Sequence, residues 1–158
     1  METPVENIHP PKFKGIWLKA AIVFQILTSL VHSLSFINEP KPTNDTEKQM
    51  LDLMMNYHND MGAGFTPTMF DIMNGLSAGF ALLFMFGGLT NWYLWRSLTN
   101  KSTLKGIVLI NTIIFGLMFV VNYFLTFLPP IVMSGLVFVF LLMAWITWPK
   151  ATATAIPS

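Results

Sequence analysis

The chain has 158 residues, of which 53% are apolar and only 11% charged, with a mean hydropathy of +0.56. Soluble domains carry about 25% charged residues, so there is too little charge here to cover a water-facing surface, and lipid contact is implied instead. A formal net charge of +1 with no dense basic cluster argues against nucleic-acid binding, and the absence of cysteine removes disulfides and thiol redox chemistry. The lack of cysteine also excludes two kinds of four-span protein. Quinone-linked thiol oxidoreductases need a Cys pair, and tetraspanin-like and claudin-like proteins need disulfides in their extracellular loops.

A membrane span takes about 20 mostly apolar residues, and four stretches qualify. After a tail over 1–15, the first runs over 16–36, with Lys19 near its start where a long side chain can snorkel. It lacks a small-x-small cleavage site and is longer than a signal-peptide core, so it is read as a retained span. An outer loop covers 37–66. In it Thr46-Glu47-Lys48-Gln49 fits a capping box, and Met50, Leu53, Met54 and Tyr57 recur at helical spacing. That pattern predicts a short amphipathic helix, lying on the membrane surface or over the bundle mouth. Met61-Gly62-Ala63-Gly64-Phe65 then makes a joint into the second span, 67–95, with Thr66 as its N-cap and Pro67 in its first turn. The third span covers 104–128 and is stopped by Pro129-Pro130. The fourth covers 131–148 and leads to a tail over 149–158. The predicted fold is therefore all-α: an integral membrane four-helix bundle occupying 16–148.

Lys12, Lys14, Lys19, Arg96, Lys101, Lys105 and Lys150 flank the spans on one side, against Lys41 and Lys48 on the other. By the positive-inside rule both termini are cytoplasmic and the first loop is outside. Trp17, Trp92, Tyr93, Trp95, Trp145 and Trp148 fall at the same predicted interface as the basic residues, as an aromatic belt does.

Polar residues keep helical register within the spans. Gln25, Thr28, Ser29 and His32 share one face of the first. Asp71, Asn74, Gly75, Ala78, Gly79 and Leu82 share one face of the second, where Gly75 and Gly79 have the GxxxG spacing of a helix-packing surface and Phe84 is left to face lipid. Asn111, Phe115, Met118 and Asn122 align on the third, and Ser134 and Gly135 lie near the outer end of the fourth. Such residues are packing glue or line a site. His32, Asp71, Asn74 and Asn122 are expected to converge on one polar pocket in the outer half, roofed by the loop helix, because ionisable and amide groups in a membrane need partners. A zinc site from His32, His58, Asp60 and Asp71 lacks the tight spacing of known motifs, and no metal or cofactor is expected.

The segments Asn44-Asp45-Thr46-Glu47-Lys48-Gln49, Phe70-Asp71-Ile72-Met73-Asn74-Gly75 and Leu125-Thr126-Phe127-Leu128-Pro129-Pro130 carry a resemblance. With them, most of the chain beyond the first dozen residues resembles a family of small, functionally uncharacterised four-span membrane proteins of Gram-negative bacteria. The resemblance implies the fold and an inner-membrane location, and brings no activity. The leading expectation is a non-catalytic protein with the lipid bilayer as its surroundings, either an accessory subunit of a larger membrane complex or a binder of a lipid-like molecule. The alternative is a membrane enzyme acting on an apolar substrate, with His32 and Asp71 as acid and base. A proton-coupled exporter ranks last, because the first span contains no carboxylate. The sequence leaves the oligomeric state open.

Overall fold

The computed structural model describes residues 15–37, 40–98 and 100–149. Apart from Gly15 and Pro149, the two expected tails lie outside the described residues. The fold is all-α. Helices run over Ile16–Ser33 (α1, continued by a 3-10 turn at Leu34–Phe36), Asp45–Asn56 (α2), Met69–Ser97 (α3), Lys101–Leu125 (α4) and Leu128–Ile146 (α5). Four of them, α1, α3, α4 and α5, are long and apolar enough to cross a membrane, which makes this a multi-pass membrane protein. Gly15, Arg96 and Lys101 lie at one end of the bundle, the basic end, and α2 at the other, the loop end.

The helix starts follow from capping chemistry, and three of them differ from the sequence reading. Asn44, not Thr46, caps α2: its side chain accepts from Glu47 N at 2.8 Å, while the Glu47 carboxylate takes the Thr43 N–H and hydroxyl. Thr68, not Thr66, caps α3, because Asp71 three residues on completes a reciprocal capping box. Pro67 instead belongs to a hairpin-like connection in which Asn59 N–H donates to Pro67 O, and Met61 and Phe65 are bonded across Gly62-Ala63-Gly64. Pro129 and Pro130 sit in the first turn of α5, where their missing N–H groups cost nothing, so they begin that helix. At 29 residues α3 is about 43 Å long, more than the hydrocarbon thickness of about 30 Å.

The helices are arranged as a row, α3–α1–α5–α4, folded so that α3 and α4 approach each other only along part of their lengths. α1 packs along α3 and α5, and α5 along α4. α1 and α3 approach closely at Gly87 and Gly88. A Cβ on Gly88 would lie 2.8 Å from Ile26 Cγ1 and 3.3 Å from the Ile26 backbone nitrogen. α4 and α5 interlock reciprocally: Phe138 lies over Gly116 and Phe119 over Gly135, with the two rings stacked 6.3 Å apart. In lipid, where no hydrophobic force draws helices together, such van der Waals fit and interhelical hydrogen bonds carry the association.

The expected packing face of α3 is corrected by this arrangement. Gly75 and Gly79 face open space, with nothing within 4 Å of a Cβ at either. Phe84, expected against lipid, is fully buried. The inward stripe is Ser77, Ala81, Phe84, Gly88, Asn91 and Trp95, on the other side of the helix from Gly75. The reason is that small residues create an interface only where a neighbouring helix comes near enough to use them.

Gly15 combines two constraints. Its φ of +52° is left-handed, and a Cβ there would overlap the Trp95 ring. The glycine therefore both turns the chain into α1 and seats an indole at the basic end.

Candidate functional site: a cavity between the splayed helices

α3 and α4 are joined by a three-residue connection, Leu98 to Asn100, and stay close near it. Asn111 Nδ2 donates to Asn91 Oδ1 at 3.3 Å, and the Phe84 and Phe115 rings meet edge to face at 5.1 Å. Towards the loop end the two helices diverge. The divergence leaves a cavity of about 220 Å³, to which all four spans contribute. His32 comes from α1; Leu76, Ser77 and Phe80 from α3; Asn122 from α4; and Pro130 from the start of α5. Thr126 and Phe127 close it at the α4–α5 turn.

Two of the four predicted pocket residues are brought together here. His32 is half-buried, its ring tilted against Phe80 at 5.0 Å. Asn122 is buried, and its Nδ2 donates to Ser134 Oγ at 3.1 Å and to Pro130 O at 3.4 Å. Both bonds run to α5, and among the described residues nothing donates to its Oδ1. The Asn122 backbone carbonyl accepts from Thr126 Oγ1 at 2.7 Å. The wall is thus mostly apolar, with a few fixed polar groups, the usual make-up of a small-molecule site.

The other two predicted residues stand elsewhere. Asp71 is exposed, and its Oδ2 accepts from the Thr68 N–H and hydroxyl at 3.0 and 2.7 Å. A carboxylate near the start of a helix is drawn to this role by the unsatisfied N–H groups there. Asn74 is half-buried on α3 and is not part of the cavity wall. The expected roof is also absent. α2 buries none of its residues, and the cavity wall contains nothing from it. It packs beside the start of α3 and leaves Met50, Leu53 and Tyr57 exposed. The weighed zinc arrangement is not assembled: among the described residues no three His, Asp or Glu side chains cluster. His58 Nδ1 lies 2.8 Å from Thr66 O and Asp60 accepts from Gly62 N–H, so both are engaged in holding the hairpin.

A second polar constellation lies deeper, and its key residue escaped the sequence reading. Asn111 donates to Asn91, and Asn91 Nδ2 donates to Gln25 Oε1 at 3.1 Å, an amide chain linking α4, α3 and α1. Gln25 and Asn91 are both fully buried, and among the described residues Gln25 Nε2 has no hydrogen-bond partner. That nitrogen lies where a Cβ on Gly87 would be 2.7 Å away, beside the Phe115 ring. One turn further along α1, Ser29 Oγ donates to Ala81 O at 2.7 Å. Asn91 could have been found as the one amide in the apolar run from Leu82 to Leu94, seven residues beyond Phe84. The rings of Phe80, Phe84 and Phe115 are in sequential contact and separate this chain from the cavity. Compared with protein-family models, curated proteins and solved structures, the sequence and fold find no match.

Proposed function

We propose that the protein is a non-catalytic component of the bacterial inner membrane that holds a lipid-like molecule in the cavity between α3 and α4. The observation that carries this reading is the cavity itself, walled by all four spans and opening where two neighbouring helices diverge. An opening between spans faces the acyl phase, so the occupant reaches it from the bilayer. The polar wall favours an apolar molecule bearing a hydroxyl or similar donor, with Asn122 Oδ1 as acceptor and His32 opposite as a hydrogen-bonding partner. The enzyme alternative loses its acid, because the Asp71 carboxylate is engaged at the helix cap and not at the cavity wall. In this reading both termini are cytoplasmic and the loop end faces outward, as the distribution of Lys and Arg suggests.

Native mass spectrometry of the detergent-extracted protein tests the cavity. The wild type should retain a small apolar molecule. Ser77→Phe, which fills the space, should lose it while melting within a few degrees of wild type. A bare wild-type chain, or retention undiminished by Ser77→Phe, defeats the reading. A co-purifying partner chain in its place would favour the accessory subunit. Orientation is tested by reporter fusions after Asn44 and after Asn100, which should report opposite sides of the membrane, the first outside.

A further inference from the structure

The basic end holds a second cavity that the proposed function does not use. It has a volume of about 170 Å³ and is lined by Trp95, Leu98, Lys101, Leu104 and Trp148. Three cations around it are seated on indoles: Lys19 Nζ lies 5.9 Å from the Trp95 ring, Arg96 5.5 Å from Trp92, and Lys105 Nζ 5.6 Å from Trp145. Trp95, one of the two indoles in the cavity wall, is itself seated by Gly15. The charges of Lys19, Arg96 and Lys105 are therefore held against ring faces, while Lys101 is exposed at the cavity wall.

These cations have no acidic counterpart in the surrounding helices. The chain contains no Asp or Glu after Asp71, and none from Ile16 to Ile37. Glu2 and Glu6, the only other carboxylates on this side of the first span, lie outside the described residues. Lys101 and Lys105 also occupy the first turns of α4, the positive pole of that helix, where no acidic residue accompanies them. Asn100 occupies the first N–H groups by accepting from Ser102 and Thr103, so the cap is satisfied and the excess positive charge is not. Like charge at that pole is unfavourable unless an anion is present. Lys19, Arg96, Lys101 and Lys105 share this end with the indoles, the pairing of basic and aromatic residues expected at a lipid headgroup layer.

We propose that the cavity between Trp95, Lys101 and Trp148 binds the phosphate of an anionic phospholipid in the leaflet that the basic end meets. Lys101 at the cavity wall and Lys105 one turn on would hold the phosphate, Lys19 would add charge from α1, and the indoles would take the glycerol and upper acyl carbons. This site is independent of the cavity at the loop end.

The test uses the full chain in detergent with equimolar phosphatidylglycerol and phosphatidylcholine, read by native mass spectrometry. Wild type should retain phosphatidylglycerol preferentially. Lys101→Gln with Lys105→Gln should lower that preference by about fivefold for each lysine removed. Lys41→Gln with Lys48→Gln, which removes equal charge from the loop end, should leave it unchanged, and Lys101→Arg should preserve it. Absence of a preference in wild type overturns the proposal, as does an equal fall in the Lys41 and Lys48 variant. Millimolar inorganic phosphate that displaces phosphatidylglycerol would identify free phosphate as the ligand and overturn the assignment to lipid.

Discussion

The two halves of α3 carry the same kind of residue and put it to opposite use. In the half near the loop end, Gly75 and Gly79 meet nothing. In the half near the basic end, Gly87 and Gly88 are pressed against Gln25 and Ile26 so closely that a single added carbon would collide. The composition of the two pairs is identical, and the spacing of the first is the more suggestive of packing. What differs is the neighbour. The short connection to α4 and the fit against α1 draw the second half into the bundle, while the first half leans away from α4 and leaves a cavity. A glycine in a membrane helix thus reports an interface only through its partner.

The largest effect expected from this contrast is at Gly88. Replacing it with Leu forces α1 and α3 apart and should destabilise the protein by about 1–3 kcal/mol or more. Gly79→Leu should change stability by no more than about 0.5 kcal/mol. Thermal melts in detergent decide the matter, and equal melting temperatures for the two variants would remove the distinction between the halves. Next in size is Asn91→Leu. It breaks two hydrogen bonds and leaves Gln25 Oε1 buried without a donor, at a cost of about 1–2 kcal/mol. Asn74→Leu, in the other half of α3, should be nearly neutral. A melting temperature lowered more by Asn74→Leu than by Asn91→Leu would place the structural network in the wrong half.

The smallest effect lies outside the spans. The Glu47 carboxylate accepts from the Thr43 hydroxyl and N–H, and the two bonds hold its pKa below the ordinary value of 4.5. With the folded value depressed, the contribution of this cap to α2 is fully present above the unfolded pKa. It is lost as pH falls through the lower, folded one. Titration of Glu47 by NMR should give a midpoint below 4.5, and the Thr43 amide shift should follow it. A midpoint at or above 4.5 would show that the cap is not formed in solution.

The spans were legible because hydropathy and length are properties of the chain alone. The inward face of α1 was legible too, since Gln25, Thr28 and Ser29 fall on one stripe of an otherwise apolar helix and all are buried. The face of α3 was not. Its polar and small residues are concentrated in the first three turns, and Asp71, Asn74 and Gly75 weigh most in any periodicity drawn there. There Asp71 is bonded at the cap and Gly75 and Gly79 face open space, so polarity near the helix start reflects capping and exposure. The residues that set the true face are Phe84 and Asn91, an aromatic and an amide whose common stripe becomes visible only when Gly88 is placed between them. For the cavity, His32 and Asn122 were readable as polar groups at similar depth. Its apolar walls, Leu76, Phe80 and Phe127, look in sequence like any lipid-facing residues.

The row α3–α1–α5–α4 also fixes an order of assembly. α4 and α5 are separated by a two-residue turn that the prolines at the start of α5 make rigid, so they can pair as a hairpin as soon as both have entered the bilayer. α1 and α3 form a separate pair, closed by Gly88 and the Ser29 bond. Among the described residues the one extensive surface joining the pairs is α1 on α5, helices whose residues lie 95 to 130 positions apart, and it must await synthesis of nearly the whole chain. The Asn111 bond to Asn91 joins the two pairs beside the short α3–α4 connection, and within its own half Asn111 also donates to Ile107 O. Two half-proteins expressed as separate chains, divided between Leu98 and Asn100, retain every contact within each pair. What the halves then offer each other is the α1–α5 surface and the Asn111–Asn91 bond.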